Sequence, residues 1–171
     1  PRRPLHPVGL AACPAGVRVS RTSVVPDLID AMVSDFGALP ALADVTVSDG
    51  LALTNEIGTY LWVGVDDPDG MKTASADADQ AWPHATAQAR NEEGGITLSV
   101  ESITGDGNPK DVRDEVYRVA GAIQTRLRES KTLGVPGVLW LSFANHRLEQ
   151  GQTRDGAVAL LTFRITFTAR I

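Results

Sequence analysis

The stretch NPKDVRDEVYRVAGAIQTRLRES, residues 108–130, decides the fold. Its apolar residues are Val112, Val116, Val119, Ala120, Ile123 and Leu127. Steps of four, three, one, three and four keep them on one face of a 3.6-residue period. Arg113, Asp114, Tyr117, Gln124, Thr125, Arg126 and Arg128 fall mostly on the opposite face. Asn108 suits the N-cap, and Pro109 suits the first helical position, where no N–H is needed. Asp111 in the first turn and Arg126, Arg128 and Lys131 near the end complement the helix dipole. Gly134 and Pro136 stop the helix. A helix apolar on one side is a lid, and a lid of this kind needs a sheet beneath it.

Strands are legible on both sides of this helix. Before it, residues 96–103 alternate, with Ile96, Leu98 and Val100 pointing one way and Thr97, Ser99 and Glu101 the other. After it come residues 138–149, a turn around Gly151 to Gly156, and residues 157–171. In the last run Leu161, Phe163, Ile165 and Phe167 share a face, and Thr162, Arg164, Thr166 and Arg170 share the other. Unbroken, that run reaches ~50 Å at ~3.3 Å per residue, which predicts a hairpin projecting past the subunit body.

Earlier in the chain, residues 23–39 predict a first helix with the stripe Leu28, Ile29, Met32, Val33 and Phe36, ended by Gly37 and Pro40. Residues 45–48 predict a short strand closed by Asp49-Gly50. Residues 59–65, with Tyr60, Leu61, Trp62 and Val63, are apolar on both faces and predict a central strand. Residues 66–82 read as a polar excursion, acidic through Asp66, Asp67, Asp69, Asp77 and Asp79. Residues 83–93 alternate small and polar side chains and predict another strand, with Gly94-Gly95 turning it into the next. Residues 1–22 hold four prolines, four arginines and little periodicity, and predict an extended arm preceding a domain over 23–171. The fold class expected is α+β: a mostly antiparallel twisted sheet with two helices packed on one face, a single domain with an extended N-terminal arm.

Composition sets bounds on function. The chain has 171 residues, 43% hydrophobic and 22% charged, as ordinary globular domains do. A net charge of −5 argues against a domain whose task is to grip nucleic acid. Cys13 is the single cysteine, so an internal disulfide is excluded. Leu10-Ala11-Ala12-Cys13 has the look of a lipoprotein cleavage site, but Pro4, His6 and Pro7 break the apolar core such a signal needs. No run approaches the ~18 apolar residues of a membrane span.

No catalytic signature or cofactor motif emerges. His6, His84 and His146 lie apart, without Cys, Glu or His at ligand spacing. Ser142 has no nucleophile-elbow context. Asp67 and Asp69 before Gly70 suggest part of a calcium loop, but its first and twelfth positions would be Val65 and Ala76, which carry no carboxylate. Gly105-Asp106-Gly107-Asn108 lacks the lysine and hydroxyl of a phosphate loop and reads as a helix cap. No metal site is expected.

From residue 24 onward the chain resembles the tail terminator, or tail completion, proteins of long, non-contractile-tailed bacteriophages. The residues that carry the resemblance are Val25-Pro26-Asp27-Leu28-Ile29-Asp30-Ala31, Val47-Ser48-Asp49-Gly50 and Leu61-Trp62-Val63-Gly64-Val65. Arg90-Asn91-Glu92-Glu93, Val112-Arg113-Asp114-Glu115-Val116, Gly156-Ala157-Val158-Ala159-Leu160 and the Phe163 to Phe167 strand complete it. The proline-rich arm departs from the family's compact pattern. The resemblance implies a non-enzymatic virion protein, assembled in the host cytoplasm and located at the head-proximal end of the tail. It implies a homo-hexameric ring that stops tube polymerisation, contacts the tail tube protein and a head-closure or connector protein, and lets DNA pass without specific binding. No membrane is implied. Candidate partner contacts are Asp66, Asp67, Asp69, Asp77, Asp79, Arg164 and Arg170. The alternatives are another virion part, such as a tail tube subunit or head-closure protein, or a small-ligand-binding or enzymatic domain.

Overall fold

The computed structural model describes residues 22–51, 56–68, 75–153 and 156–171. Two helices lie on a six-stranded sheet, in the order α1 (Val25–Gly37), β1 (Val45–Asp49), β2 (Gly58–Val63), β3 (Ala76–Ala81), β4 (Asn91–Thr104), α2 (Pro109–Glu129), β5 (Val138–Thr153) and β6 (Gly156–Arg170). A 3-10 turn at Pro40–Leu42 links α1 to β1. All pairings are antiparallel except β1 with β2. The expected α+β class holds.

α2 is the helix the sequence announces. Asn108 caps it through its side-chain oxygen, which accepts from the Lys110 N–H at 3.1 Å. Val112, Val116, Val119, Ala120, Ile123 and Leu127 are its buried residues, the same six that share the periodic face. They meet the sheet over β4, β6 and β5, while α1 covers β1 and β2 through Leu28, Met32 and Phe36. Asp35 of α1 accepts two hydrogen bonds from Arg126 of α2, at 2.7 and 2.8 Å, and fixes the helices side by side. Their partners in the sheet include Leu61, Ile96, Leu98, Val100, Leu161, Phe163 and Ile165, which form one continuous apolar layer.

The sheet is built around β4. One of its edges pairs with β6 along residues 91–104 against 157–170. Its other edge is shared end to end: β2 pairs with residues 98–103 and β3 with residues 91–96. The Gly64 N–H donates to the Thr97 carbonyl, and the Thr97 N–H donates to the Ser75 carbonyl. β2 and β3 are therefore one lane of the sheet, with Gly64 and Ser75 meeting β4 at the same residue, Thr97.

Four expectations are corrected here. The excursion over 66–82 ends in a strand, β3, because β4 presents an unfilled edge that residues 76–81 complete. Removing 71–80 would take most of that strand with it. Residues 83–90 are a loop instead of a strand. Pro83 offers no ladder N–H, and Ala85, Ala87 and Ala89 have too little apolar surface to hold a strand face.

Gly94-Gly95 is the interior of β4, not a turn. A Cβ at Gly94 would overlap the Asp77 carbonyl oxygen, and one at Gly95 would overlap the Arg164 guanidinium. Glycine is required at 94 by close approach of the β3 backbone, whereas a side chain at 95 would instead displace the Arg164 guanidinium. Finally, β6 does not project past the body: β4 flanks it from residue 157 to 170 and β5 flanks its other edge. Its length is absorbed by a sheet whose β4 and β5 are equally long.

Two outcomes test this architecture. Ile123 is fully buried, so Ile123→Ala should lower stability by about 2–5 kcal/mol in denaturant titration. Gly94→Val should detach β3 while leaving the helices folded. Amide exchange at residues 76–81 should then accelerate while that of α2 keeps its protection.

Candidate functional site

With both helices on one face, the opposite face of the sheet is left to the candidate contact residues. At one end it carries a small second core of Tyr60, Trp62 and Val65, with Leu51 and Leu160 against it. The Tyr60 and Trp62 rings stack at 6.1 Å. The start of the excursion lies across this end. The Ser99 hydroxyl donates to the Val65 carbonyl at 2.7 Å, and Thr162 donates to the Asp66 carbonyl at 3.4 Å. The Trp62 indole N–H is buried beneath it and finds no acceptor among the described residues.

At the other end the outer face is polar and open. Arg164 crosses Gly95 and forms an ion pair with Asp77 of β3. The structure thus joins two candidate residues far apart in sequence. Asp79 follows on the same face, directly opposite Glu93 across the β3–β4 ladder, and both are exposed. Directly opposed like charges disfavour a pairing. They persist here at the rim, where water screens them, and they give β3 an acidic edge.

Arg170 lies at the far end of β6, opposite Asn91, and is exposed. Asp67 is exposed on the excursion. Asp69 lies outside the described residues, as do Cys13, His6 and the arm through residue 21. Of the six described candidates, Asp77 and Arg164 pair, Asp79 stands on the adjoining acidic rim, and Asp66, Asp67 and Arg170 lie apart.

A residue the sequence reading passed over organises this corner. Glu92 is fully buried on the helix side of β4. Its carboxylate accepts from the Val24 N–H at 2.9 Å and from the Gln80 amide at 3.1 Å. Gln80 also donates to the Thr22 carbonyl at 2.6 Å. One carboxylate thereby ties the start of α1 to β3 and β4, and the helix N-terminus favours its negative charge. This arrangement holds Thr22, the first described residue, against β3.

The opposite edge of the sheet is β5, which pairs only with β6. Between β5 and α2 runs a groove with two adjoining hollows of about 470 and 260 Å³ that share Gln124 and Phe143. Tyr117 stands edge-on to His146 at 5.8 Å, and Phe143 stacks on Phe163 at 4.8 Å.

The 105–108 loop caps α2. Asp106 accepts from the Thr104 hydroxyl and the Asn108 N–H, which hold its carboxyl below the usual range. His84 contacts Thr86 in the 82–90 loop. Among the described residues no three His, Cys, Asp or Glu side chains gather as a metal site, and no helix is long and apolar enough to cross a membrane.

Neither family models nor curated proteins match this chain. Among solved structures, a chain from the virion of a native gene transfer agent particle shares the fold. Its TM-score is 0.60 at 15% identity, over 88% of this chain and all of the other. At that identity the likeness establishes a common fold.

Glu92→Ala should strand the Val24 N–H and free the Gln80 amide, at a cost of about 1–3 kcal/mol by chemical denaturation. Glu92→Gln, which keeps an acceptor oxygen, should lose less.

Proposed function

We propose that the chain is a structural protein of a virion, forming a ring at the head-proximal end of a tail tube. There it stops tube polymerisation and offers the surface that joins a DNA-filled head. The observation that carries this reading is the fold shared with the whole length of a virion chain. The sequence resemblance to tail terminators supplies the finer assignment. Tail tube and head-closure proteins are the partners on the two faces of the ring, and the chain works without catalysis or cofactor.

The polar outer face and the acidic β3 rim suit this role. An acidic or neutral wall lets DNA pass, since phosphate binding is driven by cations that release counterions. The excursion, with Asp66, Asp67 and Asp69, is proposed as the contact with the last ring of the tube. Gly64 and Ser75, which bracket it, both bond to Thr97 at one point of the sheet.

Electron microscopy of the purified chain tests the assignment. Single rings that do not stack are expected; long tubes would make it a tube subunit instead. Replacing residues 69–74 with a Gly-Ser link keeps β3 and should leave folding intact. Tails made with that variant should be overlong or lack heads. Tails of normal length carrying filled heads would make the excursion passive.

A further inference from the structure

Gly121 lies in the middle of α2, is exposed, and has nothing within 4 Å of where a Cβ would stand. Glycine at an exposed helix interior costs about 1 kcal/mol relative to alanine. Nothing among the described residues explains that cost. Gly121 does line the groove between α2 and β5, together with Ala120 and Ala144. Small side chains there leave the floor of the groove open to close approach by another chain.

The groove's other wall is an unfinished strand. β5 spans 16 residues and its outer edge pairs with nothing among the described residues. Leu139 and Trp140 on it are 57% and 43% exposed, and Tyr117 across the groove is 42% exposed. Its ladder to β6 is broken between Phe143 and His146, beside Ala144. A long edge strand with exposed apolar side chains is a template for an added strand.

The sequence contains a segment suited to that place. Residues 8–17, VGLAACPAGV, carry no charge and are small or apolar throughout, and arginines 2, 3, 18 and 21 flank them. Arg128 and Lys131 line part of the groove, so an uncharged segment meets it without like-charge repulsion. The segment joins the body at the β3 corner, where Thr22 meets Gln80. The receiving groove lies at the opposite edge of the sheet, about 15 Å away across three strand spacings. Counted back from Thr22, an extended chain brings Val17 within about 17 Å and Cys13 within about 30 Å.

We propose that residues 8–17 of one copy dock along β5 and over Gly121 of the next copy. Donor and acceptor sit on opposite edges, so the contact is head-to-tail and repeats around a ring. This inference deepens the ring reading above and rests on it for the closure of the contact, though not for the contact itself.

Cys13, within the docking segment, is the chain's single cysteine and provides the probe. The unsubstituted 171-residue chain is mixed with a Cys13→Ser, Gly121→Cys chain and oxidised mildly. A disulfide needs the two Cα atoms within about 7 Å. A heterodisulfide is expected, at least about tenfold above that from a Cys13→Ser, Asp30→Cys control, because docking raises the effective concentration. Asp30 is exposed on α1, away from the groove.

Equal yields at the two positions, or no heterodisulfide, would overturn the proposal. So would a Gly121→Cys chain that retains Cys13 and closes on itself as a monomer. Deleting residues 1–21 should abolish assembly while leaving the thermal midpoint unchanged. Electron microscopy separates this from the ring reading. Intact rings without the cross-link sink the docking and spare the ring; cross-linked open chains support the docking and sink the ring.

Discussion

Every backbone group of β4 must find a partner, and β4 is fourteen residues long with neighbours on both edges. β6 satisfies one edge completely. No single segment before it satisfies the other, so β2 and β3 divide it between them. That division dictates the rest of the outer architecture. Gly64 and Ser75 both bond to Thr97 where the two strands meet, and Gly94 must be glycine so that the β3 backbone can come close. Arg164 then passes over Gly95 to Asp77, so the same pair of glycines admits both the strand and the ion pair that holds it.

The helices determine which face is free. α1 and α2 bury one side of the sheet under a continuous apolar layer and are clamped together by Arg126 and Asp35. Arg118 binds Glu115 and Asp44, which raise its pKa further and tie α2 to the entrance of β1. Two arginines that look solvated along the helix are thus engaged within the subunit. The opposite face keeps one small aromatic core and exposes Trp140, opposite Thr168, among largely polar side chains.

The two edges of the sheet differ in chemistry. The β3 edge is short and acidic, and opposed carboxylates make a further strand unwelcome there. The β5 edge is long, carries exposed aromatic and aliphatic side chains, and borders a groove floored by small residues. Unlike edges on one subunit favour head-to-tail association over a two-fold dimer. The proposed ring and the proposed docking of residues 8–17 both follow from this asymmetry.

The elements legible from sequence were those whose burial pattern is local. α2 could be read to the residue because Val112 to Leu127 all face one sheet, and periodicity reports that directly. β2 announced itself by being apolar on both faces. β3 was not legible: its Ala and Asp residues have little strand preference, and they pair only because β4 offers an edge. The 83–90 loop was misread for the converse reason, since alternation without apolar bulk has nothing to bury. Of the candidate residues, the acids of the excursion were visible by composition, but the joining of Asp77 to Arg164 across Gly95 was not. Glu92 and Gly121 looked like ordinary surface positions. Burial of a carboxylate against the N-terminus of α1, and an open groove beside a mid-helix glycine, are set by contacts between segments distant in sequence, which only the tertiary structure brings together.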